Sequence, residues 1–215
     1  MESRSPLSEH AKPGSEQHRR FYATIAKRAY SANSDAPLPE GYVIDLNHTN
    51  RNRVLAVNSS NKHAVLAYRG TDLVDRKKAP ADLGQDVLLA LGLQSAGSRF
   101  KNGVRAAKAV KAAYPDYKVD LTGHSLGAST AAYVHSRVKD TGFVGFAEHV
   151  PLGEVQKEMT KNVIDRLVNP RKSDSVSYLV AGDPISWSKA ASFHKNTFYV
   201  PQTARSAHSL ENYLH

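Results

Sequence analysis

The sequence lacks cysteine altogether. That absence excludes disulfide bonds, thiol nucleophiles and thiolate metal sites. The sequence also has no run of about 18 apolar residues, so no transmembrane helix is predicted. The N-terminus is polar and has no apolar segment of the kind that a secretory signal requires, so we expect a cytoplasmic or otherwise intracellular protein.

The rest of the composition is that of an ordinary globular protein. Hydrophobic residues make up 40% of the 215 positions and charged residues 23%. A chain of this length most simply forms one domain with a complete core. Residues 1–14 are polar and contain two prolines and a glycine, so we expect a flexible tail there and a single domain over 15–215.

The charge balance is strongly basic, with a net charge of +9 and an isoelectric point near 9.7. Such a balance favours contact with anionic surfaces, including an anionic membrane surface. However, the basic residues are scattered, and no basic run has interleaved aromatic residues for stacking bases. We therefore favour a solvated basic surface over a dedicated anion-binding face, and we expect no specific nucleic acid binding.

The hydrophobic pattern predicts an α/β fold. Helical periodicity from Ser15 is followed by three short β-type runs at 42–46, 54–57 and 64–68, which predict an antiparallel meander. After residue 98 strands alternate with helices, which predicts a mostly parallel central sheet with helices on both faces. In this part we expect helices at 100–114 and 154–168 and, besides the strand before Gly123, strands at 143–147, 175–181 and 197–200.

Residues 123–127 form the pattern G-x-S-x-G between a β-rich run and a helix of small residues. In such a strand-to-helix turn, the backbone of Ser125 is strained and its hydroxyl is exposed. A side chain at either glycine would clash with a facing strand or helix. The amides at the start of the helix favour a developing anion, so Ser125 is a candidate nucleophile. The alternative is a serine that only caps the helix.

A serine nucleophile needs a base, and the base needs an orienting acid. Catalytic groups of parallel sheets gather beyond the carboxyl ends of the strands. Asp174 precedes the predicted strand at 175–181, whereas Asp183 follows it, so we choose Asp183 as the acid. The alternative for Asp183 is an aspartate that only forms a turn.

The base is sought among the histidines after the acid, because α/β-hydrolase sheets carry serine, acid and histidine in that order. His194 precedes the last predicted strand and His215 is the terminal residue, whereas His208 follows that strand. We therefore choose His208. We expect His124 to point away from Ser125 and to be structural.

An acyl-transfer intermediate also needs two donors for its oxyanion. One is the amide of Leu126, the residue after the nucleophile. The second is expected from Thr71, which follows the predicted strand at 64–68 and a glycine that permits a tight turn. The alternative for this segment is a polar turn at a strand end.

Four segments together resemble the class 3 lipase family, the fungal-lipase-like branch of the α/β-hydrolases. They are residues 64–71 (AVLAYRGT), 121–128 (LTGHSLGA), 182–184 (GDP) and 207–214 (AHSLENYL). The resemblance implies an α/β-hydrolase fold and a serine ester hydrolase without metal or cofactor, acting on lipid or other acyl esters. It implies the triad Ser125, Asp183 and His208, with Thr71 and Leu126 as oxyanion residues.

This chain departs from the family in several respects. It has Tyr68 where phenylalanine is usual and Ala128 where glycine is common, and the usual lid region is compressed between Leu73 and Gly97. The apolar stretch at 87–93 is interpreted equally well as a small lid or as core packing. Alternatives to a lipase or esterase are a phospholipase A-type activity, an acyltransferase, or a non-enzymatic basic scaffold that binds an anionic partner.

Overall fold

The computed structural model describes residues 11–31, 37–70, 96–148, 175–181, 183 and 196–215. Seven strands form one sheet in which they lie side by side in chain order. The first three strands pair antiparallel with one another, and the third to the seventh pair parallel, as the sequence predicted. The strands are β1 (Val43–Ile44), β2 (Arg53–Asn58), β3 (His63–Tyr68), β4 (Lys118–His124), β5 (Thr141–Phe146), β6 (Ser175–Val180) and β7 (Asn196–Val200).

Within the described ranges, three α-helices and one short 3₁₀ helix pack on this sheet. They are α1 (Glu16–Arg28), α2 (Ala96–Ala113), α3 (Leu126–Arg137) and a 3₁₀ helix at Leu210–Tyr213. Ser15 begins α1, because its hydroxyl accepts a hydrogen bond from the amide of His18 at 3.2 Å. The predicted helix at 154–168 and the apolar stretch at 87–93 lie outside the described residues.

The core lies on both faces of the sheet. In β3, Leu66 belongs to one apolar cluster and Val65 to the other, because successive side chains of a strand point to opposite faces. On one face α2 and α3 contribute Phe100 and Val134. On the other face α1 contributes Phe21, so helices cover both faces as predicted.

Gly14, the last residue of the predicted tail, contacts the sheet. The amide of Gly14 donates to the hydroxyl of Tyr178 at 2.9 Å. Gly14 has a φ of +89°, and a Cβ atom there would collide with the ring of Phe198. Residues 1–10 lie outside the described part, so a flexible tail and a single domain over 15–215 stay predictions. Among the described residues, no helix combines the length and the hydropathy that crossing a membrane requires.

Candidate active site

Three of the predicted site residues follow strands that end at the same edge of the sheet. Ser125 follows β4, Asp183 lies just beyond β6, and His208 lies in the segment after β7. Because these strands are parallel, their carboxyl ends share one edge. The topology therefore gathers residues that are up to 83 positions apart in the chain.

Ser125 has the strained backbone that the elbow pattern predicts. Its φ and ψ angles are 57° and −128°, a region that residues with a side chain seldom occupy. The amide of Ser125 donates to the carbonyl of Phe146 at 2.9 Å, and its own carbonyl accepts from the amide of Ser129 at 3.1 Å. These bonds fix the turn from β4 into α3 against the end of β5 and the first turn of α3.

The two glycines of the elbow are required by close backbone contacts. A Cβ atom on Gly123 would collide with the backbone of Gly127, and one on Gly127 would collide with the carbonyl oxygen of Tyr68. The steric reason given for both glycines from the sequence is therefore confirmed. The elbow packs directly on the end of β3.

The structure brings Ser125, His208 and Asp183 into one hydrogen-bonded chain. Nε2 of His208 lies 2.9 Å from Oγ of Ser125, and its Nδ1 lies 2.9 Å from Oδ2 of Asp183. Asp183 is fully buried, whereas the side chain of His208 is 13% exposed. In this geometry Nδ1–H donates to the carboxylate and Nε2 is free to accept the serine proton.

The other candidates have different positions. His215 is exposed at the C-terminus, and its carbonyl accepts from the guanidinium of Arg19. Asp174, His194 and Thr71 lie outside the described residues.

Leu126 is the first residue of α3. The first amides of a helix have no intrahelical acceptor, so the Leu126 amide is available to an anion beside Ser125.

Gly70 places the end of β3 against the elbow. A Cβ atom on Gly70 would collide with the carbonyl oxygen of His124 and with the hydroxyl of Tyr30. A Cβ atom on Gly127 would in turn lie 2.9 Å from the amide nitrogen of Gly70. The backbone that leads to residue 71 therefore runs beside the nucleophile turn because residue 70 is a glycine.

His124 supports the segment that carries His208. Its Nε2–H donates to the carbonyl of His208 at 2.9 Å, and its Nδ1 lies 3.0 Å from the hydroxyl of Tyr30. The two histidine rings are 4.9 Å apart. These contacts agree with the structural role expected for His124.

Asn212 is a supporting residue that the sequence interpretation missed. It is 1% exposed, and its Oδ1 accepts from the amides of Thr203 and Ala204 at 2.8 and 2.7 Å. Its Nδ2 donates to the carbonyls of Ser206, Ala207 and Ser209. Asn212 thus fixes the segment around His208. Its buried amide has no local sequence signal beyond its place in the family-like segment at 207–214.

A strained serine at a strand-to-helix turn, on a parallel sheet with an acid and a histidine at the same edge, is characteristic of the α/β-hydrolases. The family described as Lipase (class 3) matches residues 65–177, which is more than half of the chain. The chain belongs to the class 3 lipase family.

Solved structures support the same fold. The lipase of Rhizomucor miehei, in its propeptide complex, is 14% identical with a TM-score of 0.56, over 94% of this chain and 79% of that one. The lipase of Rhizopus microsporus var. chinensis is 15% identical with a TM-score of 0.51, over 94% and 84%. A triacylglycerol lipase described as having a serine protease triad is 16% identical with a TM-score of 0.54, over 90% and 83%.

At these identities the likeness concerns the fold alone. No curated protein matches the sequence. The α/β-hydrolase fold and the lipase family expected from the sequence are thus confirmed.

Proposed function

We propose that the protein is a serine ester hydrolase that cleaves acyl esters of lipids through an acyl-enzyme, with Ser125 as the nucleophile. Membership of the class 3 lipase family supports lipase-type ester hydrolysis. The observation that carries the assignment of residues is the hydrogen-bonded chain from Ser125 through His208 to Asp183, with both distances at 2.9 Å.

In the first half of the reaction, Oγ of Ser125 attacks the ester carbonyl while Nε2 of His208 takes the hydroxyl proton. Asp183 accepts the hydrogen bond from Nδ1–H and stabilises the charged imidazole. Because Asp183 is fully buried, its interaction with that charge is weakly screened by water. The amides of Leu126 and Thr71 bind the negative oxygen of the tetrahedral intermediate.

In the second half, the bond between the carbonyl carbon and the alcohol oxygen breaks, and His208 returns the proton to the leaving alcohol. Water then attacks the acyl-enzyme, His208 takes a proton from it, and the carboxylic acid leaves as Ser125 recovers its proton. No step requires a cofactor. A phospholipase A-type activity differs only in the substrate, and acyl transfer differs only in the acceptor.

The test is a chain-length series of chromogenic esters on the wild type and on Ser125→Ala. We expect the substitution to lower the rate by at least about three orders of magnitude without unfolding the protein. Ser136→Ala is the matched control, because Ser136 lies at the far end of α3 and donates to the carbonyl of Tyr133. This control variant is expected to keep the wild-type rate.

A fluorophosphonate probe separates the hydrolase from a non-enzymatic scaffold. The hydrolase proposal expects covalent labelling of the wild type and of Ser136→Ala, and no labelling of Ser125→Ala. A folded wild-type protein that stays unlabelled would favour the scaffold. Undiminished turnover by Ser125→Ala would rule out Ser125 as the nucleophile.

A further inference from the structure

A concave feature lies near the same edge of the sheet. It is a cavity of about 650 Å³ between the turn that leads into β2 and residues 98–109 of α2. Arg53, which lines the cavity, lies opposite Tyr68 in the pairing of β2 with β3. Tyr68 is the last residue of β3, so the cavity lies near the edge of the sheet at which β3 ends. Its wall contains the four arginines Arg51, Arg53, Arg99 and Arg105, and we call it the arginine pocket.

The rest of the lining complements these cations with neutral polar groups. Asn50, Asn52 and Asn102 contribute amide side chains, and the described lining contains no aspartate or glutamate. Four arginines and no acidic residue among the described lining favour an anion in this cavity.

The arginines are anchored by neutral acceptors rather than neutralised. Arg99 donates to the carbonyl of Arg69, and Arg53 donates through Nε to the carbonyl of His48 at 3.1 Å. Arg105 donates to the side-chain oxygen of Asn102. Each guanidinium has five N–H donors, so these bonds orient the groups and leave further donors for a ligand.

The Arg99 charge lies in an unfavourable setting. Burial lowers the pKa of Arg99; the nearby Tyr30 opposes this effect, and the Arg69 guanidinium adds to it. Within the described ranges, no carboxylate forms an ion pair with any of the four pocket arginines. A bound anion would stabilise these charges, because an opposite charge at close range favours the ionised form.

We propose that the arginine pocket binds a phosphate group. Guanidinium groups match the tetrahedral oxygens of phosphate with paired hydrogen bonds, and four of them suit an ion of one or two negative charges. The volume lies within the range of natural small-molecule sites, which leaves room for part of the molecule that carries the phosphate.

The pocket adjoins the nucleophile turn across a single strand. Tyr68 lines the pocket, and a Cβ atom on Gly127, two residues after Ser125, would collide with the carbonyl oxygen of Tyr68. On the proposed hydrolase function, this neighbourhood favours a phosphate that is part of the ester substrate. This last statement rests on the proposed hydrolase function, whereas phosphate binding itself does not.

The test measures binding on the full chain carrying Ser125→Ala. Because this variant lacks the proposed nucleophile, the binding result does not depend on whether the hydrolase proposal is correct. Inorganic phosphate is titrated calorimetrically at low ionic strength into this parent and into Arg51→Gln/Arg105→Gln, which changes two exposed pocket residues. The matched control is Lys62→Gln/Lys139→Gln, which removes the same charge from exposed lysines just before β3 and β5, at the opposite edge. Thermal unfolding verifies that all three proteins are folded.

We expect the parent and the lysine control to bind phosphate with similar affinity. The arginine variant should bind at least about tenfold more weakly, because charge-assisted hydrogen bonds are lost. Equal affinity in the arginine and lysine variants, or no binding by the parent, would overturn the proposal.

Vesicles identify the source of the phosphate. Sedimentation with phosphatidylglycerol vesicles, weakened in the arginine variant and reversed by inorganic phosphate, would assign the pocket to a phospholipid head group. Phosphate binding without vesicle binding would assign it to a soluble phosphate ester, and the pocket would stand. Vesicle binding that falls equally in the lysine control would reject the head-group assignment, because it would report net charge alone.

Discussion

Two clusters of the same chemical groups lie near opposite ends of β4. Near its carboxyl end, Ser125 is part of the hydrogen-bonded site described above. Near its amino end, Oδ2 of Asp120 lies 2.8 Å from Nε2 of His63, whose Nδ1 lies 2.5 Å from the hydroxyl of Tyr42. Each cluster therefore joins a carboxylate, an imidazole and a hydroxyl at hydrogen-bonding distance.

The two clusters differ in access and in backbone. The side chains of His63 and Asp120 are both 3% exposed, and the ring of Tyr42 packs on Phe21 with centroids 5.2 Å apart. Ser125 instead occupies a strained turn directly before the free amides at the start of α3. Hydrogen-bonded partners alone thus do not make a nucleophile. The position at a sheet edge, directly before the amides that begin α3, separates the candidate site from a structural network.

The structural network is held together by its carboxylate. Oδ2 of Asp120 also accepts from the hydroxyl of Tyr22 at 2.5 Å and lies 3.2 Å from Nζ of Lys118. Burial by itself raises the pKa of Asp120, but these partners and His63 outweigh it and lower the pKa to about 2. Asp120 is therefore ionised inside the core and joins α1, β3 and β4.

The largest difference between the clusters should be seen by replacing the aspartate of the candidate site. Asp183→Asn is expected to lower kcat by about 10⁴-fold, because the amide favours the wrong tautomer of His208. The measurement is the initial rate on a short-chain ester, with urea unfolding to verify the fold. A variant that keeps more than a tenth of the wild-type rate would contradict the role of Asp183.

The same substitution in the structural network should act on stability instead. Asp120→Asn is expected to lower the free energy of unfolding by about 3 kcal/mol, because it removes the charge that the buried Tyr22 and His63 and the exposed Lys118 share. Turnover per folded molecule should stay at the wild-type value. Asp140→Asn is the matched control, since the Asp140 side chain is 91% exposed, and urea unfolding should show little change for it. Loss of turnover in folded Asp120→Asn would end the distinction between the clusters.

A smaller effect is expected from His18, which lies beside the structural network. Nδ1 of His18 lies 2.9 Å from the hydroxyl of Tyr178, which also accepts a hydrogen bond from the amide of Gly14. Burial lowers the pKa of His18 to about 4, opposed by the charge of Asp120 and assisted by that of Lys118. His18 is thus neutral in the fold near neutral pH.

The protonation of His18 destabilises the fold as the pH falls. Because the folded pKa is below the unfolded value of 6.5, the unfolded chain binds the proton first as the pH falls. We expect a loss of at most about 3 kcal/mol between pH 6.5 and 4. Asp120 adds its own loss only below the ordinary carboxylate range, towards pH 2. His18→Asn should reduce the dependence of the free energy of unfolding on pH between pH 4 and 6.5, measured by urea unfolding. An unchanged pH dependence in this range would contradict the role of His18.

The sequence by itself determined the features that depend on local geometry. The pattern around Ser125 requires a strained turn between glycines, and periodicity reveals which segments are strands. From those strands, the rule that sites lie at carboxyl ends selected Asp183 and His208. The structure places His208 beside Ser125 and Asp183 beside His208. These inferences needed only the spacing of residues along the chain and the direction of each strand.

Only the tertiary structure decided which distant polar groups meet. Asp120 and His63 are 57 residues apart and meet in the core, although no sequence pattern links their segments. Basic residues that look scattered along the chain converge at the arginine pocket, because packing of α2 against β2 and β3 brings Arg99 and Arg105 near Arg51 and Arg53. Charge density and burial are properties of the packed chain, so neither can be determined from the order of its residues alone.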